Sequence, residues 1–154
     1  MITGLNLARL AKLIALLGFV FPWVLVSCAG QPVGRLTGID LATGNQLGRP
    51  DLWVVLSLAA VVLGLVVSFL LTGRRAIVAM AAAAIVALAA SVVGVSDIGV
   101  TAQSAGAAPV ERPVNAVGQV DLQYGYIITV AGLLTALAAC GAALARRGSN
   151  TAPP

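Results

Sequence analysis

The chain has 154 residues, of which 60% are hydrophobic and 9% charged, and its mean hydropathy is +1.03, whereas soluble domains carry roughly 25% charged residues. That balance excludes an ordinary soluble domain and points to an integral membrane protein. Nine Lys and Arg, five Asp and Glu, two Cys and no His leave few groups able to move a proton, hold a metal or attack a substrate.

A helix needs about 20 mostly apolar residues to cross a hydrocarbon core of about 30 Å. Charge-free stretches near that length run over 13–28, 52–72, 76–96 and 122–145. Leu10 and Ala11 lengthen the first past Lys12, whose long side chain can snorkel to the interface, so helices are expected over 10–28, 52–72, 76–96 and 122–145. These stretches are apolar on every side and lack the alternation of barrel strands. The expected fold is an all-α membrane protein, a four-transmembrane-helix bundle forming one domain over 1–147, with a disordered tail over 148–154.

In the first helix, Pro22 cannot donate to the carbonyl of Gly18, which predicts a kink between those two residues. The same segment ends in Leu25-Val26-Ser27-Cys28 after a basic start at Arg9 and Lys12, and it resembles the lipobox of bacterial lipoprotein signal peptides. That resemblance implies cleavage before Cys28 and lipidation of its thiol, leaving three helices; the other reading retains the first helix. The outer loop 29–51 has regularly spaced glycines around Leu36, Ile39 and Leu41, which predicts a compact, turn-rich structure.

The second helix follows Pro50-Asp51, where Asp51 can cap free backbone amides. The short Thr72-Gly73-Arg74-Arg75 connection then forces the second and third helices into an antiparallel hairpin. The outer loop 97–121 is rich in Ala, Gly, Val and Pro, and Val114, Val117 and Val120 are expected in short extended segments. Together the two outer loops form a small extracytoplasmic cap, and the fourth helix returns the chain.

Basic residues near span ends stay preferentially in the cytoplasm. Arg9, Lys12, Arg74, Arg75, Arg146 and Arg147 fall on one side, against Arg35, Arg49 and Arg112 on the other, so both termini are expected inside. All five acids fall outside, as do Trp23, Trp53, Tyr124 and Tyr126, whose amphipathic rings suit the headgroup layer as interface anchors. Eight Arg to one Lys, with abundant Ala, Val and Gly, fit a GC-rich bacterium and hence a bacterial cytoplasmic (inner) membrane.

Transporters and pumps need ionisable groups inside the membrane, and none is expected between the end charges of the four spans. Ser27, Ser57, Ser68, Ser91, Thr129 and Thr135 can each bond a carbonyl one turn back in their own helix. Without His there is no Ser/His or Cys/His nucleophile pair and no imidazole metal site. Cys28 and Cys140 lie at depths roughly 20 Å apart by helical rise, too far for a disulfide. Small residues recur at four-residue spacing, at Ala79, Ala83, Ala87 and Ser91, at Gly132, Ala136 and Cys140, and at Gly64 and Ser68. They predict close helix packing, either within one bundle or between copies.

Phe21-Pro22-Trp23, Ser27-Cys28, Thr37 to Gly44 and Tyr124-Gly125-Tyr126 together resemble a pattern of small, largely uncharacterised bacterial four-pass integral membrane proteins. The resemblance implies the four-helix fold and brings no activity or catalytic residue with it. Claudin-type tetraspans also place a Trp and two cysteines after their first helix; this chain has only Cys28 there. The expected function is non-enzymatic: an accessory or interaction subunit of a membrane complex, or a self-associating envelope component. A binder or carrier of lipid or another apolar ligand between helices is the alternative, and an outer-face enzyme using Asp40, Asp51 or Asp121 a third reading. The expected partners are membrane lipids and other membrane proteins or further copies of the chain. No cofactor or metal is expected, and no nucleic acid, since no Lys/Arg stripe with interleaved aromatics is present.

Overall fold

The computed structural model describes residues 4–28, 31–44, 50–105 and 119–149. Eight elements follow in order: α1 (Gly4–Gly18), β1 (Pro22–Cys28), β2 (Gln31–Thr37), α2 (Gly38–Thr43), α3 (Leu52–Leu70), α4 (Gly73–Ala105), β3 (Gln119–Leu122) and α5 (Tyr124–Ser149). Three helical stretches, Leu52–Leu70, Gly73–Asp97 and Tyr124–Arg146, are long and apolar enough to cross a membrane. The protein is mostly helical, as the apolar stretches require.

The long helices close a ring in which α1 lies along α5, α5 along α4, α4 along α3, and α3 meets α1 over a smaller area. Their buried faces are rich in alanine and glycine, with a few larger residues between them. Ala15, Ala60, Ala84, Ala87 and Leu133 belong to the main core, while Ala8, Ile77, Met80, Ala139 and Cys140 pack together towards the other end. The outward faces carry bulky residues such as Leu63, Phe69, Leu70, Ile85 and Leu134, the polarity expected of helices solvated by acyl chains.

The first apolar stretch departs from a single helix over 10–28. It is helical only to Gly18 and continues as strand β1 from Pro22. At 15 residues, α1 extends about 22 Å, short of the hydrocarbon thickness. Pro22 therefore does not kink a helix: it lacks the N–H that a continuing helix would need, and it stands at the first position of a strand, where that lack is tolerated. The residues that follow, Trp23 to Val26, are aromatic, β-branched or Leu, and they suit a pleated surface.

Strand β1 is the centre of a three-stranded antiparallel sheet of order β2-β1-β3. Leu25 pairs with Arg35 on one side and Asp121 on the other. The pairing with β2 shifts between Pro22 and Val24, a bulge at Trp23. Through it Trp23 and Val24 are both fully buried, although neighbours in a regular strand face opposite ways.

The expected turn-rich loop 29–51 thus contains β2 and the one-and-a-half-turn helix α2. A reciprocal capping box starts α2: the Asp40 amide donates to Thr37 Oγ1 at 3.1 Å, and the Thr37 amide donates to Asp40 Oδ2 at 3.0 Å. Its C-cap is Gly44, at φ 72°, a left-handed position that favours glycine. The third helix also outgrows its expected range of 76–96. It begins at Gly73, so Arg74 and Arg75 are in its first turn, and it continues to Ala105, through the first part of the expected loop 97–121. Val120 lies in β3, while Val114 and Val117 fall outside the described residues. The last helix reaches Ser149, past the expected start of a disordered tail at 148.

Asp51 caps α3 by accepting from the amides of Trp53 at 2.9 Å and Val54 at 3.1 Å. Asp51→Ala is expected to cost about 1 kcal/mol. Thermal unfolding in one detergent measures it, and a midpoint equal to that of the unaltered chain would contradict the cap.

Candidate functional site

Lys12 is the residue whose position departs most from expectation. It lies in the middle turns of α1 and is 0% exposed, so its side chain does not snorkel to an interface. The periodicity explains this. Ala8, Ala11, Lys12, Ala15 and Phe19 form one buried stripe of α1, and Lys12 is the long member of it.

A Cβ built on Gly64 of α3 would collide with Lys12 Nζ and Ala83 Cβ, so the missing side chain at Gly64 is what accommodates the ammonium. The thiol of Cys140 on α5 is within its electrostatic reach. Among the described residues, Lys12 Nζ and Arg9 Nε are the buried side-chain nitrogen or oxygen atoms without a hydrogen-bond partner. The expectation that Lys12 ends the first helix and snorkels to an interface is thereby corrected: its amine stands inside the bundle, in the middle of α1.

Arg9 stands one turn before Lys12 on the same side of α1. Its Nη2 donates to the Ser68 carbonyl near the end of α3, and its guanidinium lies over the Phe69 ring, 4.6 Å from the centroid. The helix dipole of α3 also places partial negative charge at that end. Arg74, Arg75 and Arg146 are exposed at the corresponding ends of α4 and α5, so these residues gather with Arg9 at one end of the bundle, while Arg35 lies in the sheet at the other.

The acids gather at the other end, in and around the sheet. Asp40 accepts from Thr37 Oγ1 at 2.7 Å, and the Asp51 amide donates to the Leu41 carbonyl at 2.9 Å. Asp121 is exposed on β3. Two of the three acids considered for outer-face catalysis are therefore occupied as helix caps. Among the described residues no three of His, Cys, Asp and Glu come together as a metal site.

The four aromatics separate into two kinds. Trp53 and Tyr124 are exposed near the sheet end, whereas Tyr126 is half-buried and Trp23 fully buried. Trp23 Nε1 donates to the Gly18 carbonyl at 3.0 Å, and its ring packs against Phe19 at 4.6 Å and Tyr126 at 5.5 Å. Trp23 is thus a core residue and not an interface anchor, because the bulge of β1 turns its ring under the sheet.

The interior hydroxyls also separate. Ser68, Ser91 and Thr135 bond within their own helices. Ser57 instead donates across the bundle to the Ala87 carbonyl at 2.9 Å, and Thr129 Oγ1 reaches both Gly125 of its own helix and Ala15 of α1.

Cys28 ends the central strand, paired through its backbone with Gln31, and Cys140 is a free, buried thiol in α5. Lipobox residues Leu25 to Ser27 are paired on both sides, so cleavage before Cys28 would remove most of the central strand together with α1. Intact mass of the purified chain is expected at the full 15.4 kDa; loss of 27 residues with a gain of acyl mass would establish processing instead. Comparison with protein families, curated proteins and solved structures finds no match for the chain.

Proposed function

We propose that the chain is a non-enzymatic four-pass membrane protein that serves as an accessory subunit of a membrane complex or as a self-associating envelope component. In this reading α1 is the fourth span, the basic end of the bundle faces the cytoplasm with both termini, and the sheet with α2 is an extracytoplasmic cap. The membrane is a bacterial cytoplasmic membrane, a reading carried by eight Arg to one Lys and abundant Ala, Val and Gly.

The observation that supports an interaction role is the form of the cap. It is a folded unit whose two outer strands, β2 and β3, each pair on one side only among the described residues. Unpaired strand edges are templates for pairing with another chain. The small-residue faces of the helices, by contrast, are already used inside the bundle.

Affinity purification of the full chain from native membranes in mild detergent tests the reading. Co-purification of a second membrane protein, or recovery as an oligomer, is the expected result. A strictly monomeric protein with no partner would count decisively against it.

A further inference from the structure

The seam between α1 and α3 is where the bundle leaves its own polar groups incomplete. Arg9 and Lys12 point into it one turn apart, each with a buried nitrogen lacking a hydrogen-bond partner. The described acids Asp40, Asp51 and Asp121 belong to the sheet and the helix ends beneath it, and Asp97 lies on α4 one turn past Gly94, which faces Asp51 and Trp53; the α3 end near Arg9 supplies a carbonyl. Buried nitrogen donors are normally bonded, so the seam leaves donors that a ligand could complete.

The mouth of the seam indicates the ligand's chemistry. Arg9 is only half-buried there, and its guanidinium lies over the ring of Phe69, a residue 65% exposed. Leu10, next to Arg9 in α1, and Val66 and Leu70, near Phe69 in the last turns of α3, are also exposed. A guanidinium framed by apolar surface, with the buried Lys12 amine one turn further in against Gly64, fits an anionic head on an acyl tail better than a small hydrated anion. Basic pockets between helices near a membrane face are suited to such headgroups, and a guanidinium can bind phosphate oxygens bidentately.

We propose that the mouth of the α1–α3 seam binds the phosphate-bearing headgroup of an anionic membrane lipid. Arg9 holds the phosphate at the surface. Lys12 meets it from below by swinging its four-carbon stem off Gly64, which lies about 9 Å along α3 from Leu70. The acyl chains follow the outward ridge of Val66, Phe69 and Leu70. This site rests on the membrane-spanning reading of the bundle and not on the identity of any protein partner.

The test uses the full chain, purified in a neutral detergent and offered phosphatidylglycerol or phosphatidylcholine at equal concentration, with bound lipid counted by native mass spectrometry. Retention of phosphatidylglycerol is expected to exceed that of phosphatidylcholine about tenfold, roughly 1.4 kcal/mol. Arg9→Gln and Lys12→Met should each remove most of that preference. Lys12→Met keeps the apolar stem and deletes a buried charge, so it retains the fold. Arg74→Gln combined with Arg75→Gln removes two exposed cations outside the seam and should leave the preference within about twofold.

Equal retention of the two lipids, or an equal loss of preference in the Arg74/Arg75 pair, would overturn the site. Displacement of phosphatidylglycerol by millimolar inorganic phosphate would also overturn it, by showing a site for the free anion. Carbonate washing of membranes separates the two readings: a protein released into the supernatant sinks the spanning reading and the site together, whereas a retained protein without lipid preference sinks the site alone.

Discussion

Trp23→Ala is expected to lower the thermal midpoint by about 10 °C, from a loss of about 3–5 kcal/mol at roughly 2–4 °C per kcal/mol. Trp23 is fully buried, and three connections converge on it. Its indole N–H satisfies the Gly18 carbonyl at the last residue of α1. Its ring packs against Phe19 at a tilt of 44° and meets Tyr126 edge-on, at an interplanar angle of 74°. The start of α2 sits directly on it, since a Cβ added at Gly38 would lie 2.8 Å from Trp23 Cε2 and Phe19 Cδ1.

The substitution would leave a cavity beneath the cap and remove the shorter of the two hydrogen bonds to the Gly18 carbonyl. Trp23→Phe should be milder, costing about 1 kcal/mol through the lost indole hydrogen bond, since the Gly18 carbonyl keeps the longer bond from the Phe21 amide at 3.3 Å. Thermal unfolding by far-ultraviolet circular dichroism in one detergent provides the comparison. A Trp23→Ala midpoint within 2 °C of the unaltered chain would refute the role of Trp23 as the joint between cap and bundle, because about 1 kcal/mol already moves it by that much.

The same residue shows where sequence patterns stop. The stretches over 52–72, 76–96 and 122–145 were legible because each is long, apolar and free of charge, and length alone separates a helix of that kind from a strand. From 13 to 28 the run is shorter and could be shared between two elements, which periodicity does not reveal. Pro22 and the residues around Val24 and Val26 carried the missing signal, since a run too short for a full span with a proline inside it also fits a helix followed by a strand.

Lys12 was misplaced for a related reason. With the helix drawn over 10–28 it stood at an end, free to snorkel. With α1 over Gly4–Gly18 it stands mid-helix, on the stripe that turns inward. The α2 helix did have a local signature, Thr37-x-x-Asp40, but turn-forming glycines around it dominate the pattern. The sheet was illegible because β3 and β1 are far apart in sequence, and no local rule pairs Leu25 with Asp121.

Gly132→Leu is expected to separate α1 from α5 and cost about 3 kcal/mol, combining overpacking with the loss of a hydrogen bond across the same contact. A Cβ at position 132 would lie 2.9 Å from both the Ala11 carbonyl oxygen and the Ala15 amide nitrogen, and 3.0 Å from Ala15 Cβ. Two of these three atoms are backbone, so no rotamer change relieves them and α1 must move as a body. That movement also breaks the bond from Thr129 Oγ1 to the Ala15 carbonyl, 3.3 Å long.

Gly141→Leu supplies the control, for it adds the same side chain to the same helix at a position with no atom within 4 Å. Both substitutions gain roughly 0.8 kcal/mol of helix propensity, so their difference isolates the contact. A midpoint for Gly132→Leu well below that for Gly141→Leu places the small-residue face of α5 inside one bundle. Equal midpoints, with a changed oligomeric mass for Gly132→Leu alone, would place that face between copies of the chain and overturn the internal packing of α1 on α5.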